Sequence, residues 1–185
     1  MDSWNDRYQL FEQQALKYAG KISVDDFSHH TYCSFKHHYF YGEVPKTGCT
    51  TVKKVLIQAE MGRQIEFEQA EFIHYREFTP FLKVWQVGDL NDFFQRKDIF
   101  KFCLVRNPYT RLLSAYLDKI AQQKPQIHSI KIGLGRAEDD PRAVSFNEFI
   151  DTVIQQAVPE MDHHWRRQYE HTYQATIDYD FIGRF

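Results

Sequence analysis

Residues 44–51, with the sequence VPKTGCTT, combine the residue types that bind an anion at the start of a helix. Gly48 permits a turn in which successive backbone N–H groups converge, and Lys46 adds a full positive charge. Thr50 and Thr51 add hydroxyl donors where the next helix begins, and helix N-termini favour phosphate or sulfate. The lysine precedes the glycine, so the order differs from the Walker A loop. The spacing predicts a phosphate-binding loop, with an ordinary Pro-Gly turn as the alternative.

Residues 106–116, with the sequence RNPYTRLLSAY, form a second candidate anion site. Asn107 and the proline after it are typical of a helix N-terminus. Ser114 lies about two helical turns beyond Arg106, a distance that an extended arginine covers, so both can meet on one anion. A guanidinium suits phosphate because it binds two oxygens at once. The alternative is that Arg106 and Arg111 are surface charges, although they would then oppose the helix dipole.

The segments around both stretches alternate between strand and helix patterns. Val52, Val55, Leu56 and Ala59 give the helix at 50–60 a single apolar stripe, which leaves Lys53 and its neighbour Lys54 solvated. The predicted strands are 39–44, 81–87, 99–105 and 179–182. The predicted helices are 1–19, 50–60, 89–96, 108–123 and one opened by the capping box of Ser145 and Glu148, with a loop or strand entry at 28–38 and a mobile loop at 124–142. This order predicts an α/β fold with a mainly parallel sheet.

Bulk properties narrow the class of protein. The 185 residues suit one domain over 1–185, and 43% of them are hydrophobic, enough for a core. The net charge of −2 disfavours nucleic-acid binding. We find no membrane-spanning run and no signal peptide, and three scattered cysteines fit a reducing compartment. We expect a cytoplasmic protein, or one in the Golgi lumen or at a membrane if this chain is part of a longer one.

The two anion-binding stretches resemble the donor-binding motifs of sulfotransferases. Residues 45–51 are similar to the 5′-phosphosulfate loop, and residues 106–116 are similar to the 3′-phosphate motif RxPxxRxxSxY. HWRRQ at 164–168 and YDFIG at 179–183 resemble a segment of the Golgi-type carbohydrate sulfotransferases, which include the chondroitin, dermatan and HNK-1 enzymes. The chain is thereby identified, over residues 39–185, as a bacterial-like or fragmentary member of sulfotransferase family 2.

The resemblance implies a P-loop-NTPase-like three-layer fold and 3′-phosphoadenosine-5′-phosphosulfate as the co-substrate, without a metal. Lys46 would contact the 5′-phosphosulfate and stabilise charge on the bridging oxygen, while Arg106 and Ser114 would hold the 3′-phosphate. The residues that would cradle the 5′-phosphate are Thr47, Gly48, Cys49, Thr50 and Thr51. The sulfuryl group would pass by in-line displacement to a hydroxyl of an acceptor, most simply a carbohydrate.

The chain also departs from the family pattern. Gly42 and, approximately, His171 occupy positions where the family often has cysteines, which suits a non-oxidising compartment. Family members continue beyond residue 185, so we expect either a fragment or a shorter version that lacks later elements.

The acceptor hydroxyl must lose a proton to a base. His74 and His164 are the leading candidates, with His163 and Glu43 as further ones, and a structural role is the alternative for each. We expect no metal, because the spacing of the following residues matches no closed four-ligand site: His29, His30, Cys33, His37 and His38. Two tryptophans, Trp85 and Trp165, are expected in the core rather than stacked on adenine.

Two other functions remain open. A P-loop kinase would need a Walker lysine and a magnesium-binding aspartate after a strand, and neither is evident. A catalytically incomplete nucleotide-binding module would retain the two anion sites without transferring sulfate.

Overall fold

The computed structural model describes residues 4–64, 73–74, 80–82 and 84–185. Within this part of the chain, no helix is long and apolar enough to cross a membrane. The helices are α1 (Trp4–Ala19), α2 (Val24–His29), α3 (Cys49–Met61), α4 (Leu90–Gln95), α5 (Pro108–Ala115), α6 (Ile127–Gly133), α7 (Phe146–Val153) and α8 (Gln168–His171). The strands are β1 (Thr31–Ser34), β2 (Tyr39–Gly42), β3 (Phe100–Val105) and β4 (Phe181–Arg184).

A four-stranded sheet in the order β1-β2-β3-β4 lies at the centre of the fold. Strand β1 is antiparallel to β2, whereas β2, β3 and β4 are parallel. The long connections between the parallel strands contain helices, as parallel pairing requires. The prediction of an α/β fold with a mainly parallel sheet flanked by helices is therefore confirmed.

The two faces of the sheet bury different residues because side chains alternate along a strand. Phe40 packs with Phe11 and Phe27, from α1 and α2, on one face. On the other face, Tyr41 packs in a cluster that includes Ile57 of α3. A third cluster joins α5, α6 and α7 beside the sheet. Side chains thus cover both faces of strand β2, which leads into the first predicted anion-binding stretch.

Four predicted segments differ from the structure. The prediction of a strand at 81–87 is wrong. Leu82 makes one isolated bridge to Cys33, and Val84–Gln86 forms a 3₁₀ turn. The loop predicted at 124–142 contains α6, whose Ile127 and Ile130 are buried in a cluster with residues of α7. The helix predicted at 108–123 is α5 followed by a π-helical turn, Tyr116–Ile120. Segment 28–38 contains the end of α2 and all of β1.

Three histidines, of which His30 and His171 are buried and His163 is half-buried, meet where α2, α8 and the segment at 163–166 pack together. The His30 ring centroid lies 5.1 Å from those of both His163 and His171. Burial lowers the pKa of His30 to about 4 and that of His163 to about 3, and it lowers the pKa of His171 well below its ordinary value. No described group hydrogen-bonds either ring nitrogen of His171. These rings are therefore neutral in the folded protein near pH 7.

We expect the free energy of unfolding to fall as the pH is lowered from about 7.5 to 5. Unfolded histidines bind protons below their ordinary pKa of 6.5, whereas His30 and His163 stay neutral in the folded state until a lower pH. Protons therefore favour the unfolded state, and each such histidine removes roughly 2 kcal/mol of stability by pH 5. Urea unfolding at each pH measures this loss.

His171→Met is expected to make that pH dependence shallower because it removes one neutral buried imidazole. Its control is His128→Gln, which changes a half-exposed histidine beside Glu138 and should alter the slope far less. Equal slopes for wild type and His171→Met would contradict the assignment.

Candidate functional site

The loop between β2 and α3 has the backbone of an anion-binding turn. Lys46 and Gly48 adopt left-handed conformations, with φ values of 69° and 77°. The Thr47 hydroxyl donates to the Val44 carbonyl at 2.7 Å and closes the turn from behind. Gly48 is the N-cap of α3 and has no side chain that could cover the first N–H groups of the helix. These groups are thus available to an anion.

A cavity of about 760 Å³ lies beside this loop, where the chain leaves β2 and β3. Ligands of open α/β sheets bind at this edge. The predicted site residues that line it are Lys46, Gly48, Cys49, Thr50, His74, Arg106, Ser114 and His164. Two predicted residues do not line it: Thr47 is buried behind the loop and Thr51 is exposed on α3. Burial raises the pKa of the Cys49 thiol to about 12, so it stays protonated.

Lys46 is paired inside the cavity with a residue that the sequence analysis missed. Its Nζ donates to Asp118 Oδ2 at 2.8 Å, and Asp118 also contacts Lys119 and Lys124. Burial acts to raise the pKa of Asp118, but hydrogen bonds from Lys124 and Lys46 outweigh it and hold that pKa well below its ordinary value. Asp118 is therefore an anion surrounded by three lysines.

Arg106 brings the second predicted stretch against the first. Its guanidinium donates to the Lys46 carbonyl at 3.3 Å and to the Thr110 hydroxyl at 3.2 Å. The Gln168 side chain holds its backbone, accepting from the N–H and donating to the carbonyl, both at 2.8 Å. Ser114 lines the same cavity. The two predicted anion sites therefore share one cavity, and the glutamine of the HWRRQ segment fixes the junction between β3 and α5.

Arg111 is buried rather than a surface charge. It donates to the carbonyls of Pro45 and Arg166 at 2.8 Å each and of His163 at 3.1 Å. Burial lowers its pKa to about 10, so it remains charged near neutral pH. All three partners are backbone carbonyls. Since Pro45 belongs to the anion-binding loop and the other two to the segment at 163–166, Arg111 connects these two parts of the chain.

His164 and Asp162 form a hydrogen-bonded pair at the cavity. His164 Nδ1 lies 2.6 Å from Asp162 Oδ1, which also accepts the His164 backbone N–H at 2.9 Å. Burial acts to raise the pKa of Asp162, but the hydrogen bond with His164 outweighs it and lowers that pKa to about 2. Burial lowers the pKa of His164. An ionised Asp162 places the ring proton on Nδ1, which leaves Nε2 able to accept a proton.

His74 is bound to side chains on both ring nitrogens. Its Nδ1 lies 2.7 Å from Lys53 Nζ, and its Nε2 lies 3.1 Å from Thr50 Oγ1. Lys53 is 1% exposed and also contacts Glu43 Oε1 at 3.0 Å. The side chains of Lys53, Glu43 and His74 thus form a connected group that reaches Thr50 at the cavity.

The prediction that Lys53 is solvated is wrong. Helix α3 buries Cys49, Lys53 and Ile57, whereas Val55 of the predicted stripe is 59% exposed. Burying an ammonium is tolerated here because a carboxylate is buried beside it. Glu43, a predicted candidate base, is that partner: burial acts to raise its pKa, but the charge of Lys53 and the hydrogen bond from Tyr32 outweigh it and hold the pKa below its ordinary value.

The predicted tryptophans and potential metal ligands complete the set of predicted residues. Trp165 packs edge-on against Phe149 and donates to Gln156, so it belongs to the core as predicted. The Trp85 side chain lies outside the described residues. Among the described residues, the one group of three potential metal ligands with atoms within 4.8 Å of one another is Asp162, His163 and His164.

Comparisons with known proteins identify the family and relatives of this chain. The profile of the sulfotransferase family matches residues 29–185. Carbohydrate sulfotransferase 9 of Homo sapiens is 28% identical, over 97% of this chain and 44% of the relative. Carbohydrate sulfotransferase 8 of Mus musculus is 30% identical, over 91% and 41%, and carbohydrate sulfotransferase 14 of Mus musculus is 26% identical, over 84% and 43%. The chain spans less than half the length of these relatives. No solved structure matches it.

Arg111→Lys is expected to lower the free energy of unfolding by roughly 2–4 kcal/mol, because an ammonium cannot span three carbonyls and each buried unpaired group costs about 1–3 kcal/mol. Urea unfolding measures the loss. Arg142→Lys changes an exposed arginine and should stay within about 0.5 kcal/mol of wild type. If both variants unfold alike, Arg111 does not connect the two segments as described.

Proposed function

The chain belongs to the sulfotransferase family, and from that membership we propose that it transfers a sulfuryl group from 3′-phosphoadenosine-5′-phosphosulfate to a hydroxyl of a carbohydrate. One observation carries the proposal of this donor: the loop with Lys46 and the junction with Arg106 line the same cavity. Two separate groups of anion ligands suit a nucleotide with a 5′-phosphosulfate and a 3′-phosphate. The printed names of the relatives support a carbohydrate acceptor.

In the proposed reaction the loop residues bind the 5′ end of the donor. The N–H groups at the start of α3 and the Thr50 hydroxyl would donate to the phosphosulfate oxygens. Lys46 would exchange its contact with Asp118 for the oxygen that bridges sulfur and phosphorus. When the bond between that oxygen and sulfur breaks, negative charge develops on the departing 3′,5′-adenosine bisphosphate, and Lys46 stabilises it.

The acceptor would be activated by His164. Its Nε2 would take the proton of the acceptor hydroxyl while the hydroxyl oxygen forms a bond to sulfur. Asp162 keeps the other ring nitrogen protonated and would stabilise the imidazolium that results. Arg106 and Ser114 would hold the 3′-phosphate away from the reacting atoms. Side chains and backbone N–H groups supply all of this proposed chemistry, and no step uses a metal.

A cytoplasmic location is part of the proposal. Cys33, Cys49 and Cys103 are buried and form no disulfide in the described part of the chain, which supports a reducing compartment.

Arg106→Ala is expected to weaken binding of 3′,5′-adenosine bisphosphate by about 10-fold or more, since a charge-assisted hydrogen bond contributes roughly 1.5–3 kcal/mol. Binding of 5′-AMP should change far less, because that ligand lacks the 3′-phosphate. Isothermal titration calorimetry with both ligands measures the difference. Arg142→Ala, which lies outside the cavity, is the control. Equal losses for the two ligands would remove Arg106 from the 3′-phosphate site.

Lys46→Ala is expected to reduce sulfate transfer by about 100-fold or more, because the charge on the bridging oxygen is no longer stabilised. The measurement is transfer of labelled sulfate from the donor to a panel of glycans. Lys54→Ala changes an exposed lysine of α3 outside the cavity and should retain activity. Undiminished turnover in Lys46→Ala would refute its role. Bisphosphate binding by wild type without transfer to any acceptor would favour a nucleotide-binding module.

A further inference from the structure

We propose that Lys53 and His74 set the direction of the Thr50 hydroxyl, so that its hydrogen points into the cavity toward the 5′-phosphosulfate. In this assignment His74 is a positioning residue and leaves the general base role to His164. The inference rests on the proposed function and deepens it, because it names which side chain prepares the loop for its anion.

The direction of each hydrogen bond follows from Lys53. A protonated lysine has hydrogens to donate and no lone pair to accept with. Its Nζ contacts Glu43 at 3.0 and 3.1 Å and His74 Nδ1 at 2.7 Å. The Tyr32 hydroxyl donates to Glu43 at 2.7 Å, so the carboxylate is satisfied in its ionised form. His74 Nδ1 must therefore accept, and it carries no proton.

A neutral imidazole with a bare Nδ1 carries its hydrogen on Nε2. His74 Nε2 lies 3.1 Å from Thr50 Oγ1, so the ring donates to the hydroxyl oxygen. Burial and the charge of Lys53 lower the pKa of His74, which supports the neutral form. Of the other charged or titratable groups near the ring, Glu43 raises that pKa, while His29 and Lys119 lower it.

The Thr50 hydroxyl then has one role left. A hydroxyl has one hydrogen, and its oxygen already accepts from His74, so the hydrogen is free to be donated elsewhere. Thr50 is in the first turn of α3 and lines the cavity, where the N–H groups of the helix also point. A hydroxyl donor fixed in advance binds an anion without the cost of reorientation.

The same contacts remove His74 from the list of general bases. Both of its ring nitrogens are engaged, Nδ1 as acceptor from Lys53 and Nε2 as donor to Thr50. To take a proton from an acceptor hydroxyl, the ring would have to give up its contact with Lys53. His164 faces no such competition, because its partner Asp162 accepts.

Two substitutions at position 74 separate positioning from base catalysis. The amide of His74→Gln can accept from Lys53 and donate to Thr50, but it cannot bind a proton near neutral pH. We expect His74→Gln to keep bisphosphate affinity and kcat within about 3-fold of wild type, and His74→Ala to lose about 10-fold in both, the value of one hydrogen bond to a charged ligand. The acidic limb of the kcat/KM profile should persist in both variants.

Thr50 supplies the complementary test. Thr50→Val should weaken bisphosphate binding about as much as His74→Ala, whereas Thr50→Ser, which keeps the hydroxyl, should bind nearly as wild type. If His74 acts only through Thr50, the double variant His74→Ala/Thr50→Val should be no weaker than Thr50→Val alone. Urea unfolding of every variant verifies that the fold is retained.

The outcomes distinguish this inference from the proposed function. If wild type binds no bisphosphate and transfers no sulfate, the proposed function is wrong and the inference falls with it. If wild type does both, but His74→Gln is as inactive as His74→Ala and the acidic limb disappears, His74 is the base and only the inference is overturned. Additive losses in the double variant would likewise overturn it.

Discussion

The three hydrogen bonds of Arg111 hold the site together. The guanidinium reaches from α5 to the carbonyl of Pro45 in the anion-binding loop and to the carbonyls of His163 and Arg166. One rigid planar group therefore relates the loop that binds the donor to the segment that carries His164. Desolvating an arginine is costly, and this cost is offset because each buried carbonyl also needs a donor. The geometry of the cavity depends on this exchange.

Two ion pairs at the cavity serve different purposes. Lys53 and Glu43 are buried, and their contact fixes the hydrogen-bond directions around His74 and Thr50. Lys46 and Asp118 are half-buried and lie where an anion would bind. A buried pair is expensive to separate, whereas a partly solvated one is not. The first pair is thus suited to organise the site and the second to change partners.

The parts of the fold predicted correctly depend on local signals. Residues close together in the sequence determine the start of α5 at Asn107-Pro108 and the capping box at Ser145, and both features are present. The predicted anion loop closes as its glycine requires, with Gly48 in a left-handed conformation. These features need no knowledge of distant contacts, so a single sequence was enough to predict them.

The errors arise where a distant partner reverses the local preference. The helical pattern predicts that Lys53 is solvated. Its partner Glu43 lies ten residues earlier, outside α3, so the pattern within the helix does not show the contact. For Arg111 the sequence leaves a surface charge open as an alternative, because its carbonyl partners carry no sequence signature. At Gly42, where the family often has cysteine, an added Cβ would clash with the Tyr179 hydroxyl, a contact that the sequence alone does not reveal. Side-chain burial of this kind is decided by packing between elements rather than by periodicity.

The contact between Lys46 and Asp118 affects how ligand affinity depends on ionic strength. An empty anion site usually attracts salt ions, which a ligand must then displace, and its affinity falls steeply as ionic strength rises. Here Asp118 serves as a built-in counter-ion, and Lys124 and Lys119 hold it in place. Ligand binding then exchanges one partner of Lys46 for another within the cavity. Asp118 therefore competes with small anions for Lys46, and a ligand that also engages the rest of the site can displace it.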